Sequence, residues 1–186
     1  MNTGASGYEN RSVFIGSRPR FRQGSPASLA FQRTSHQLAH MSESLHIVCP
    51  HCQTTTRVRR DQLASAPDCG QCKQPLFTGK PVDLAEAAFD KHLQRTQIPL
   101  LVDFWAPWCG PCRQMAPGYV QAAAQLEPSV RVAKVDTEAQ QALGSRYQIR
   151  SIPTLALFVN GREVARKAGA MSASDIVRWT RQNLPG

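Results

Sequence analysis

At 186 residues, with 41% apolar and 19% charged side chains, the chain has the composition of a globular protein of one or two domains. No stretch approaches the roughly 18 consecutive apolar residues of a membrane helix, and the N-terminus lacks an apolar core of secretory length. The net charge of +9 is uneven: residues 1–40 carry five arginines against the single acid Glu9, so the remainder is only mildly basic and nucleic-acid binding gains little from charge alone.

Residues 1–40 are rich in Ser, Arg, Gln and Gly without periodicity, which predicts a disordered basic extension. Met41 stands eight residues before the first cysteine, so three readings stay open. They are an over-extended start with Met41 as the initiator, a native tail, and an organelle transit peptide.

Residues 41–80 form a small module with a β-prone stretch, Thr54–Val58, and turn signals at Ala66-Pro67-Asp68 and Gly70. Forty residues cannot bury enough apolar surface to fold unaided, so the module needs a staple. Cys49-x-x-Cys52, a gap of 16 residues, then Cys69-x-x-Cys72 is zinc-ribbon spacing. Each pair is expected on a knuckle turn supported by Pro50 or Gly70, aiming four sulfurs at one Zn²⁺. Four thiolates leave no open position, so the ion is expected to be structural. The alternative is two further redox pairs, but neither has a strand-to-helix setting to activate a thiol. His51, between two ligands, reads as a bystander. Arg57, Arg59 and Arg60 read as a solvated face, because Phe77 is the module's one aromatic and stacking platforms are scarce.

Residues 81–186 alternate helix and strand patterns. Ala85, Phe89 and Leu93 recur with helical spacing. Leu100–Trp105 reads as a buried strand. The next helix should begin near Cys109, carry Met115, Tyr119, Ala122 and Leu126 on one face, and contain Pro117. Val130–Val135 is a predicted strand and Glu138–Tyr147 a short helix. Thr154–Val159 and Glu163–Lys167 flank Asn160-Gly161, the strongest hairpin signal present. Ser172 should cap a last helix bearing Ile176, Val177 and Leu184. The order β-α-β-α-β-β-α predicts an α/β domain with a mixed sheet covered by helices.

The most informative segment is Trp105-Ala106-Pro107-Trp108-Cys109-Gly110-Pro111-Cys112. A helix start at Cys109 would let the helix dipole and free backbone N–H groups stabilise its thiolate, making it the nucleophile. Cys112, one turn further in, would resolve a mixed disulfide. Gly110 leaves room for substrate, and Pro111 stiffens a position that tolerates proline. Asp103 is odd in an apolar strand. Burial would raise its pKa and make it a proton acceptor for Cys112; the alternative is a strand-edge Asp facing water. All six cysteines fall in Cys-x-x-Cys pairs, which with the absence of a signal peptide points to a reducing, cytoplasmic setting.

Trp-Cys-Gly-Pro-Cys after Asp103-Phe104-Trp105-Ala106, with Ser151-Ile152-Pro153-Thr154 further on, resembles the thioredoxin family over residues 81–186. With the cysteine module in front, 41–186 resembles the zinc-binding thioredoxins of bacteria, the thioredoxin 2 type. The resemblance implies a thioredoxin fold and a cis bond before Pro153. It also implies Lys134 as the usual neighbour of Asp103, and a groove of Trp108, Gly110, Pro111, Ile152, Pro153 and Gly169 that binds extended substrate. The implied activity is protein-disulfide reduction by a monomer, fed by NADPH through thioredoxin reductase, with no bound organic cofactor and no membrane partner. A disulfide isomerase and a redox-regulated zinc adaptor are the alternatives; Gly110-Pro111 resembles reductases.

Overall fold

The computed structural model describes residues 43–185; the expectations for residues 1–40 and for Met41 lie outside the described residues. Two antiparallel strands open it, β1 (Ser44–Val48) and β2 (Thr55–Arg59), paired from Val48 with Thr55 to Ser44 with Arg59. A 3-10 segment, Arg60–Ser65, follows β2. The ribbon buries Leu45, Ile47 and Val58 against Leu76 and Phe77, and Ile98, distant in sequence, completes this small core.

The outer edge of β1 is tied to the segment that carries Ile98. The His46 amide donates to Gln97 Oε1 at 2.7 Å, and the Gln97 amide donates to the His46 carbonyl at 2.8 Å. The Val48 amide donates to Thr96 Oγ1 at 3.2 Å. Strand edges are ready hydrogen-bonding surfaces, and this one is covered.

Among the described residues, the larger sheet has five strands: β3 (Val82–Asp83), β4 (Leu100–Trp105), β5 (Arg131–Asp136), β6 (Thr154–Val159) and β7 (Arg162–Ala168). Their spatial order is β3-β5-β4-β6-β7, with β3, β5 and β4 parallel and the β6 and β7 pairings antiparallel. The helices that cover it are α1 (Glu86–Arg95), α2 (Gly110–Leu126), α3 (Gln141–Arg146) and α4 (Ala173–Gln182). Side chains alternate across a strand, so Leu101 of β4 and Val132 of β5 pack toward Met115 and Tyr119 of α2 and Ile176 of α4. Leu100, Val102 and Phe104 pack with Phe89 of α1 and Leu143 of α3 on the other face. By the same alternation Asp103 and Lys134 project toward α2. Asn160 and Gly161 both have positive φ, as the tight hairpin turn requires. The free edge, β7, carries the Arg166–Glu163 ion pair and is largely exposed, which discourages further strand pairing.

Several boundaries differ from expectation. Helix α3 starts at Gln141, because Asp136 Oδ1 accepts from the amides of Glu138 and Ala139 and fixes a turn there. Leu184 lies beyond α4, although Ser172 caps that helix as expected, accepting from the Asp175 amide. Ala85 is an exposed cap, and the buried α1 positions are Phe89 and His92. Strands β1 and β3 gave no signal: β3 is two residues long, and β1 is defined by its pairing with β2.

Candidate functional site

The strand-to-helix turn after β4 brings the two thiols together. Cys109 is the N-cap of α2 and its Sγ accepts from the Cys112 amide at 3.2 Å. Gly110 and Pro111 are the first two helical positions, where a missing proline N–H leaves no hydrogen bond unmade. Cys109 and Cys112 are joined in a disulfide and both are buried. Pro153 follows a cis bond from Ile152, and the Ile152 carbonyl oxygen lies 3.7 Å from Cys109 Sγ. The Gly169 amide donates to the Pro153 carbonyl at 2.9 Å, at φ +95°, a conformation that favours glycine. Trp108 is 67% exposed beside the disulfide and borders a groove with Ile152. Thr137, Gln148 and Arg150 also line that groove, and no sequence signal marked them.

Behind the disulfide, Asp103 is 5% exposed, which removes the water-facing reading. Its Oδ1 has no hydrogen-bond partner among the described residues. Burial pushes its carboxyl up to about 7, with the Lys134 charge opposing the shift. A cavity of about 260 Å³ is lined by Asp103, Cys112, Tyr119, Trp105 and Lys134, so acid and inner cysteine share one space. Tyr119 is held by donation to the Ala133 carbonyl at 2.8 Å. Lys134 is the lateral neighbour of Asp103 on β5, yet its ammonium pairs with Asp83 at 3.1 Å and lies 4.9 Å from the centre of the Trp105 ring. Asp83 was not singled out from the sequence, since nothing local connects a residue of a two-residue strand to position 134.

The other four cysteines converge. The sulfurs of Cys49, Cys52, Cys69 and Cys72 all lie within 4.8 Å of one another. Cys49 Sγ is 3.6 Å from Cys72 Sγ, and Cys52 Sγ is 3.7 Å from Cys69 Sγ. A tetrahedron with metal–sulfur bonds of about 2.3 Å has edges of about 3.8 Å, so these residues fit one zinc ion. The His51 amide donates to Cys49 Sγ at 3.4 Å, but its imidazole is outside the cluster. Phe77 is buried and the Arg131 guanidinium covers its ring, so it offers no stacking face for a base. Arg59 and Arg60 pair with Asp61 and Glu43 at the surface.

Comparison with known proteins agrees with this arrangement. Residues 80–182 match the family described as Thioredoxin, and residues 48–74 match the one described as Thioredoxin 2, N-terminal. The chain is 44% identical over 138 residues to Thioredoxin C-3 of Corynebacterium nephridii, covering 74% of this chain and 94% of that protein. It is 41% identical over 101 residues to Thioredoxin 1 of Synechococcus elongatus, covering 54% of this chain and 94% of that protein. Among solved structures, a mutant thioredoxin from Halobacterium salinarum superposes with a TM-score of 0.53 at 28% identity, covering 59% of this chain and 96% of that one. The chain therefore belongs to the thioredoxin family, a thiol–disulfide reductase with a zinc-binding cysteine cluster ahead of its thioredoxin domain.

Proposed function

We propose that Cys109 and Cys112 carry the reductase chemistry, with Asp103 as the proton acceptor behind them and Lys134 as the charged neighbour that bears on its basicity. In the reduced protein, the Cys109 thiolate attacks one sulfur of a substrate disulfide. The substrate S–S bond breaks, a mixed disulfide forms, and the departing substrate sulfur takes a proton. Asp103 then accepts the Cys112 proton, and the Cys112 thiolate attacks Cys109 Sγ. The mixed disulfide breaks, the second substrate sulfur leaves and is protonated, and the protein holds the new disulfide. Two electrons have passed from protein to substrate. The observation that carries this reading is a disulfide at a helix N-terminus, 3.7 Å from the Ile152 carbonyl, with the buried Asp103 carboxyl, its Oδ1 unpartnered among the described residues, in the same cavity as Cys112.

In this reading Trp108, Gly110, Pro111, Ile152, Pro153 and Gly169 receive an extended substrate, whose backbone pairs with residue 152 as an added strand. Cys49, Cys52, Cys69 and Cys72 hold one zinc ion. With four thiolate ligands it supplies structure and no open position for chemistry. Residues 41–80 act as the zinc module and 81–186 as the reductase domain, working as a monomer in the cytoplasm without an organic cofactor. Electrons come from NADPH through thioredoxin reductase. The confinement of all six cysteines to Cys-x-x-Cys pairs supports the reducing compartment.

NADPH-coupled insulin reduction with a thioredoxin reductase tests the assignment. Wild-type protein should turn over many times and Cys109→Ser should not; absence of turnover by folded, zinc-loaded wild type would sink it.

A further inference from the structure

Three charged residues stand in a row across the sheet. Asp83 on β3 is the lateral neighbour of Lys134 on β5, and Lys134 is the lateral neighbour of Asp103 on β4. In parallel strands such neighbours project from the same face, so all three point toward α2. Exposure falls steeply along the row: the Asp83 side chain is 74% exposed, that of Lys134 33%, and Asp103 as a residue 5%. The ammonium in the middle has a carboxylate on each side and pairs with the outer one, at 3.1 Å. The inner carboxyl is left with an unpartnered Oδ1 among the described residues.

We infer that Asp83 is a positioning residue for the reduction: by holding the Lys134 ammonium at the rim of the cavity it keeps a cation away from Asp103, so that Asp103 stays a strong enough base to take the Cys112 proton. The inference rests on the role assigned to Asp103 above. Its physical basis is competition. A lysine has one charge on a flexible stem, and an ammonium drawn to one carboxylate is less available to another. An opposite charge within about 4–6 Å favours the ionised carboxylate and lowers its basicity. A proton acceptor is most effective with a pKa near the working pH, so pairing Asp103 fully with Lys134 would weaken it.

Among the described residues, the titratable groups that line the cavity with Asp103 come from three elements and the segment before β3. From β5 there is Lys134, and beyond it Asp83 from β3. From α2 there are Cys112, Arg113 and Tyr119, whose hydroxyl burial holds protonated. Lys80 lies at the rim before β3. Removing the Asp83 charge acts in one direction through both available routes. It takes away a nearby negative charge and frees Lys134 to turn inward, and each lowers the Asp103 pKa.

The test is a ¹³C NMR titration of the Asp103 carboxyl in the oxidised full-length protein. It is run alongside the pH profile of single-turnover release of the second substrate thiol. Asp83→Asn should lower the Asp103 midpoint by about half a unit to one unit, in keeping with a partly exposed ion pair, and move the alkaline-rising limb of the rate profile the same way. Asp83→Glu should restore the wild-type midpoint, and in a Lys134→Met background Asp83→Asn should move it little. An unchanged or raised midpoint in Asp83→Asn, or a shift of the same size without Lys134, overturns the inference. Asp103→Asn separates the two levels. If it leaves the rate profile untouched, the role of Asp103 fails, whatever the carboxyl titration reports about Asp83.

Discussion

The Arg131 guanidinium of β5 lies 4.5 Å from the centre of the Phe77 ring, joining the large sheet to the core of the cysteine module. The same guanidinium donates to Glu127 Oε1 at 2.7 Å, with the two side chains 1% and 2% exposed. Glu127 Oε2 in turn accepts from the amides of Thr78 and Gly79, the segment leading from module to sheet. Burial works against both charges, lowering the Arg131 pKa and raising that of Glu127, and their pairing opposes it. One ion pair thus clasps module, linker and sheet.

Removing one partner should therefore cost far more than removing both. Glu127→Ala leaves a buried unpaired guanidinium and should destabilise the protein by about 3–5 kcal/mol, whereas Glu127→Leu with Arg131→Met should cost much less. Urea unfolding of the singles and the double gives the coupling directly; additive losses would mean that the pair does not act as a unit.

His92 should make the fold acid-labile. It is fully buried, neither ring nitrogen has a partner among the described residues, and burial with the neighbouring positive charges of Arg131 and Lys91 lowers its pKa to about 3. Between that value and about 6.5 the unfolded chain binds a proton that the folded chain refuses, so stability is full above 6.5 and falls as pH drops toward 3. The loss attributable to His92 is on the order of 5 kcal/mol. Denaturant midpoints from pH 7 to pH 4 should fall less steeply for His92→Leu than for wild type.

Asp103 works in the opposite sense. Its folded pKa of about 7 exceeds the ordinary value of 3.8, so the folded state holds a proton that the unfolded state has released. Stability contributed by the neutral carboxyl declines as pH rises from about 4 and is gone above about 7. Asp103→Asn should stabilise the oxidised protein at pH 8.5 by on the order of 4 kcal/mol and change it little at pH 4. The same variant should slow resolution of the mixed disulfide about a hundredfold at pH 7, read in single-turnover kinetics.

Zinc removal should act on the module first. Its core of Leu45, Ile47, Val58, Leu76 and Phe77 is too small to stand alone, so chelation or Cys69→Ser should abolish hydrogen-exchange protection in β1 and β2. Metal analysis should return one zinc per wild-type chain. Intact protection in metal-free protein would mean that docking onto the sheet, not the metal, holds the ribbon.

Much of the reductase site was legible because its signals are local. Two cysteines three residues apart after an apolar run, proline at an early helical position, and the Asn160-Gly161 turn each state a short-range geometry. The buried face of α2, Met115, Tyr119, Ala122 and Leu126, follows from helical period alone. The cysteine spacing likewise foretold that four sulfurs would meet. Family resemblance, not spacing, anticipated the cis bond at Pro153 and its position against Cys109.

By itself, then, the sequence determined the elements with strong periodicity, the redox pair and the zinc-type cluster, since each depends on residues close in the chain or on a recognisable repeat of chemistry. Tertiary structure alone decided which charges go inside and whom they meet. His92 and Arg131 look like surface residues in the sequence, yet the fold buries both. Lys134 has carboxylates on both neighbouring strands, and only the register of β3, β5 and β4 sets Asp83 beside it as well as Asp103. Strand register is fixed by packing between segments far apart in sequence, and a charge's pKa by everything that excludes water from it, so neither is written in any short stretch of the chain.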